Sequence, residues 1–261
     1  MSHPFETDLL VAVEEAGINA SAPREQLWVD GWLVRFSPGK AKRARCIQAV
    51  APGRLSVTSK LERCMAIYAS AGLRPYVRVT PFSQPAHLDQ QLADFGMERL
   101  DDTRVMVAAM PVLSGAEDET ANVTRGLRFQ TVDAAAFAQW IGVLRGSSAA
   151  ECRAHAERLR DAPVPHCAVL VVDPDGDVVA GGQVAVEGSL AGLYDILTTE
   201  AARNRGIADA LCRHLLERAG RLGASTAYLQ VDAGNEVARR LYRRLGFQDS
   251  YAYHYRTPPA R

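Results

Sequence analysis

No two cysteines of this chain stand in C-x-x-C spacing, and the five present, Cys46, Cys64, Cys152, Cys167 and Cys212, are odd in number. That argues against a structural zinc site and against a disulfide framework. An excess of either charge is also missing, since 30 basic residues balance 30 acidic ones. A neutral chain gives no electrostatic reason to expect nucleic acid as a partner. No apolar run is long enough to span a bilayer, and the opening Met-Ser-His-Pro-Phe-Glu-Thr-Asp has no apolar core of the signal-peptide kind. The sequence therefore predicts a soluble cytoplasmic protein without metal, nucleic-acid or membrane partners, with monomer and homodimer both open. The basic cluster Lys40–Arg45 reads as a solvated hairpin arm.

What is present is ordinary globular material. Hydrophobic residues make up 48% of 261, enough for substantial cores in one large domain or two of usual size. The polar, aperiodic stretch Leu113–Gly126 is the best linker candidate. It divides the chain into residues 1–112 and 127–261. In the second part, Leu127–Val132 reads as a strand, and Asp133 as the cap of a helix with Phe137, Trp140, Ile141 and Leu144 on one face. A second helix covers Ala149–Arg160. Ala168–Val172 and Val178–Val186 flank Asp-Pro-Asp-Gly, a hairpin signal. Leu190–Thr198, apolar on both faces, reads as a central strand. A helix with Ile207, Leu211, Leu215, Ala219 and Leu222 on one face follows, then a strand at Ala227–Val231 and a helix at Glu236–Leu245 with Leu241 and Leu245 inward. Ser250–Arg256 alternates tyrosines with other residues, as a two-faced strand does.

Between strand 190–198 and the next helix lies Arg203-Asn204-Arg205-Gly206-Ile207-Ala208. The first turn of a helix leaves N–H groups unpaired, and the helix dipole adds positive charge there. Such a terminus suits a pyrophosphate. Gly206 admits close backbone approach, and Arg203 and Arg205 offer charge-assisted hydrogen bonds. Together with Asn235…Tyr242…Gly246-Phe247 and the order β-α-α-β-β-β-loop-α-β-α-β, this segment resembles the GCN5-related N-acetyltransferase family over about Arg128 to Arg256. The resemblance implies acetyl-CoA as cofactor, held at Arg203–Ala208, and an N-acetyltransferase acting on a small-molecule or peptide amine.

The first part carries a similar plan about 150 residues earlier. Ala71–Val79 parallels Leu222–Val231, and Leu88–Gly96 parallels Ala238–Gly246. Between a predicted strand Arg54–Thr58 and a helix from about Lys60 there is only Ser59, with no glycine-rich loop. Ala93 or a close neighbour falls where the second part has Tyr242. The predicted fold class is α/β (α+β), two mixed-sheet acetyltransferase-like domains in tandem, the N-terminal one incomplete and without a cofactor site.

Acetyl transfer to an amine needs a neutral amine, a stabilised carbonyl oxygen and a proton for the departing thiolate. The resemblance gives Tyr242, in Leu-Tyr-x-x-x-Gly-Phe, the part of general acid; the plainer alternative is a packing tyrosine with a bonded hydroxyl. Asn235 reads as a helix N-cap, with contact to the pantetheine or phosphate arm as the part the resemblance implies. The resemblance also has the main chain of Leu197 and Thr198 meet the pantetheine as an added strand, in a splay beside the strand bearing residue 231. Asp195 is the one acid in an apolar strand. It is either a base whose pKa is raised by burial or a partner in a salt bridge. His254 is a second candidate base, with surface exposure its plainer alternative. Glu200 stands where the family often has proline. Trp28, Trp32 and the Tyr251/Tyr253/Tyr255 stripe are candidates for an acceptor pocket or for core. No cysteine lies within the motifs, so direct attack in a ternary complex is expected rather than an acyl-enzyme. Two alternatives are a non-catalytic acyl-CoA-binding protein and an aminoacyl-tRNA-dependent transferase.

Overall fold

The computed structural model describes residues 5–37, 39–110 and 125–259. The first half runs α1 (Thr7–Ala20), β1 (Glu25–Val29), β2 (Trp32–Phe36), a 3-10 turn (Lys42–Arg45), β3 (Ile47–Gln48), α2 (Val57–Ser70), β4 (Val77–Val79), α3 (Leu88–Asp94) and β5 (Glu98–Ala109). The second runs β6 (Arg128–Val132), α4 (Ala134–Leu144), α5 (Ala149–Arg160), β7 (His166–Val172), β8 (Val178–Glu187), β9 (Leu190–Thr198), a 3-10 turn (Glu200–Ala202), α6 (Ile207–Arg221), β10 (Thr226–Asp232), α7 (Glu236–Arg244) and β11 (Gln248–Thr257). Local chemistry explains several starts. Asp133 caps α4, and Ser148 with Glu151 forms a capping box at α5, each cap typically contributing about 1 kcal/mol.

Sequence reasoning predicts two sheets, whereas the eleven strands form one open sheet in the order β1-β2-β3-β4-β11-β5-β10-β9-β8-β7-β6. The last strands of the halves are exchanged. β11 pairs with β4, and β5 pairs with β10 from Thr103↔Asp232 to Ala109↔Thr226. β5 and β11 also pair with each other, closing the seam with backbone hydrogen bonds. The order α2-β4-α3-β5 recurs as α6-β10-α7-β11. The predicted linker Leu113–Gly126 falls almost wholly at 111–124, outside the described residues.

Several expectations change. Arg54–Thr58 is not a strand: Val57 already opens α2, because Ser56 caps it by accepting from Ser59 N, and Asp30 ties down the preceding turn. Leu144 and Leu222 stay 38% and 63% exposed, since each lies at the end of its helix, beyond the packed face. Lys40–Arg45 is no solvated arm. It packs against the second half, where Arg43 NH1 donates to Gln230 Oε1 at 2.5 Å. The exchanged β11 lies inside the sheet, so Tyr253, His254 and Tyr255 are all buried. Trp32 is core, and Trp28 is 62% exposed on the edge strand β1.

Candidate active site

The site begins at the start of α6. Ala202 is buried and anchors the preceding turn, while Arg203, Asn204, Arg205 and Gly206 are exposed. Asn204 and Gly206 have φ of +60° and +75°, and Gly206 is the residue that takes this left-handed conformation without a Cβ penalty. No side chain caps the helix, so the N–H groups around Ile207 and Ala208 remain open to an anion. Ile207 itself is buried and fixes the first turn to the sheet.

Next to this turn the sheet opens. β9 and β10 run parallel and pair only from Leu190↔Thr226 to Leu193↔Leu229. Beyond that, Asp195 adopts φ +53°, and the register of β9 against β8 shifts between Gln183↔Tyr194 and Gly181↔Leu197. One extra residue in β9 makes a bulge, which bends the strand away from β10. Leu197 and Thr198 still pair with β8, and their edge towards β10 carries no ladder. A Cβ on Gly182 would lie 2.5 Å from Ile196 Cδ1, so the glycine makes room opposite the bulge.

Tyr242 sits on α7, buried, with its ring edge-on to Phe247 at 6.1 Å between centroids. Its hydroxyl has no hydrogen-bond partner among the described residues, contrary to the alternative of a bonded packing tyrosine. Burial, with Cys212 nearby, pushes its pKa well above the ordinary tyrosine value, so it keeps its proton. Asn235 does cap α7, accepting from Ala238 N at 3.1 Å.

Asp195 is not the base with a raised pKa that burial suggests. Burial alone would raise it, but the adjacent His155 ring and the charges of Arg145 and Arg158 outweigh that and hold the carboxyl well below the usual range. Arg145 lies 2.8 Å away, His155 Nε2 3.3 Å, and Gln183 Nε2 donates at 2.6 Å. His254 is removed from candidacy as a base. It is buried against Asp89 of α3 at 2.7 Å, and Arg256, its neighbour on β11, donates to the same carboxylate. Sequence reasoning missed His155, Arg145 and Arg158. The signal lay in the spacing of three and four along Cys152, His155 and Leu159, which puts His155 on the inward face of an otherwise polar helix. Among the described residues no group of side chains is arranged to hold a metal, and no helix is long and apolar enough to cross a membrane.

In the first half, the turn before α2 is occupied from within. The Asp30 carboxylate accepts from Arg54 N at 2.8 Å and Leu55 N at 2.7 Å, and the buried Lys60 lies 3.4 Å from it.

An open mixed sheet, splayed beside a glycine-led helix, defines the class: the chain is a GCN5-related N-acetyltransferase, an acyltransferase dependent on acetyl-CoA. It belongs to the family described as "Probable histone acetyltransferase Rv0428c C-terminal", whose model matches residues 7–256. It is 26% identical over 228 residues to the "Uncharacterized N-acetyltransferase YobR" of Bacillus subtilis, covering 86% of this chain and 89% of that protein. In fold it is similar to a GCN5-related N-acetyltransferase from Kribbella flavida, with a TM-score of 0.68, 16% identity, and coverage of 97% of this chain and 95% of that one. A second similar structure is titled a tandem GNAT protein from the clavulanic acid biosynthesis pathway, with a TM-score of 0.63, 12% identity, and coverage of 98% of this chain and 97% of that one.

Proposed function

We propose that the protein transfers the acetyl group of acetyl-CoA to a primary amine by direct attack in a ternary complex. The observation that carries this is the pairing of the β9/β10 splay with the uncapped, left-handed turn at Gly206. The N–H groups at Arg203–Ala208, with Arg203 and Arg205, suit the pyrophosphate. The free edge at Leu197 and Thr198 suits the amides of the pantetheine arm, and Asn235 closes the far side. The amine nitrogen attacks the thioester carbonyl, the C–S bond breaks, and Tyr242 gives its proton to the departing thiolate. Asp195 acts as a fixed negative charge that orients His155, and His155 takes the proton shed by the amine. Residues 1–112 are read as a degenerate copy of the 127–261 domain, in which Asp30 takes the place of the phosphate. The test is thiol release from acetyl-CoA across a panel of small-molecule and peptide amines. Amine-dependent release supports the reading. Tight acetyl-CoA binding without release on any amine would replace it with a non-catalytic binding role.

A further inference from the structure

A small cleft of about 60 Å³, open to solvent, lies between the loop around Lys40 and helices α4 and α5, and Arg145, Glu151, His155, Arg158 and Asp195 line it. Its charges do not cancel. Lys40 Nζ lies 3.6 Å from Glu151 and donates to the carbonyls of Arg145 and Gly146. Arg145 is matched to Asp195 at 2.8 Å. Arg158 is partly buried, yet it makes no hydrogen bond and no ion pair with any described residue. A partly exposed guanidinium with no protein partner keeps its donors free for a ligand anion. Arg43 and Arg145 repel it and Asp195 attracts it from beyond bonding distance. The cleft thus offers an unpaired cation at Arg158, close to the Asp195 segment of β9 that runs directly into Leu197.

We propose that this cleft is the acceptor pocket and that the acceptor is an amine carrying an anionic group, a carboxylate or a phosphate, which Arg158 binds. The proposal rests on the transfer reading above. Arginine presents a planar fork of donors that fits either anion in two-point fashion. His155, read above as the acceptor of the amine proton, lines the same cleft, so an anionic group on Arg158 leaves the amine end within the site. The loop bearing Lys40 closes the cleft from the first half, which gives that half a part in choosing the acceptor.

Matched amines test this: cadaverine against lysine for the carboxylate, ethanolamine against phosphoethanolamine for the phosphate. The anionic member of one pair is expected to show at least tenfold higher kcat/KM, and the pair identifies the anion. Arg158→Met should bring that ratio towards one, and Arg158→Lys should keep part of it. Calorimetric binding of the same amines without acetyl-CoA gives a readout independent of transfer. The anionic members should lose at least tenfold in affinity in Arg158→Met, with the Kd for acetyl-CoA unchanged. Equal binding by the wild type of the members with and without the anionic group, or a preference that survives Arg158→Met, overturns the proposal. Arg158-dependent binding without any transfer would leave the pocket standing and remove the transfer reading.

Discussion

At the scale of single residues, environment decides chemistry. Tyr242 and Asp195 are both withdrawn from water, yet only the tyrosine has its titration set by burial. The aspartate has cationic neighbours strong enough to reverse the effect. Tyr242→Phe is expected to lower kcat by about tenfold or more while the Kd for acetyl-CoA stays within twofold, measured by steady-state kinetics and calorimetry. Unchanged kcat would remove its acid role. His155→Gln should lower kcat strongly near pH 7 and less near pH 9, where more of the amine is already neutral; a pH-independent loss would point to a purely structural part. His166 supplies a stability signal. Burial, with Arg158 nearby, lowers its pKa from 6.5 to about 4. Between those values the unfolded chain binds a proton that the folded protein does not. Stability therefore falls as pH drops from about 6.5 to 4 and levels off below. His166→Gln should flatten that limb in denaturant titrations across this range.

At the scale of elements, the working parts are a turn and a bulge. Gly206 holds φ +75°, where an alanine Cβ costs roughly 1–2 kcal/mol and stands in the path of a bound anion. Gly206→Ala should weaken acetyl-CoA by about tenfold or more in calorimetry while Tm falls only slightly; unchanged affinity would place the phosphates elsewhere. This turn was legible because Arg-x-x-Gly-x-Ala sits at a strand-to-helix junction, where local sequence fixes local geometry. Most of β7–β11 was legible for the same reason, through periodicity and turn residues. The bulge at Asp195 was not. It goes with Gly182 of β8 lying opposite, a pairing that no local pattern announces. The strand predicted at Arg54–Thr58 failed likewise, because Asp30, distant in sequence, binds that turn.

At the scale of the whole molecule, the exchange of β5 and β11 makes one sheet of two halves. The helix-strand-helix-strand order within each half was visible in the sequence, but the pairing of β5 with β10 and of β11 with β4 was not, since strand pairing across the seam depends on non-local contacts. The exchange also buries what looked like surface. His254 becomes core, and Lys40 and Ala41 line the cleft beside Asp195. A buried pair, Arg78 on β4 with Glu14 on α1, is joined by Tyr251 of β11 at 2.7 Å, tying the exchanged strand to the first half. Among the described residues, the turn at Gly206 is open to an anion, whereas the turn before α2 is filled by Asp30. Isothermal titration of the intact protein with acetyl-CoA tests that asymmetry most directly. The expected result is one equivalent bound per chain, abolished by Gly206→Glu and unaffected by Asp30→Asn; two equivalents per chain, or binding that survives Gly206→Glu, would contradict it.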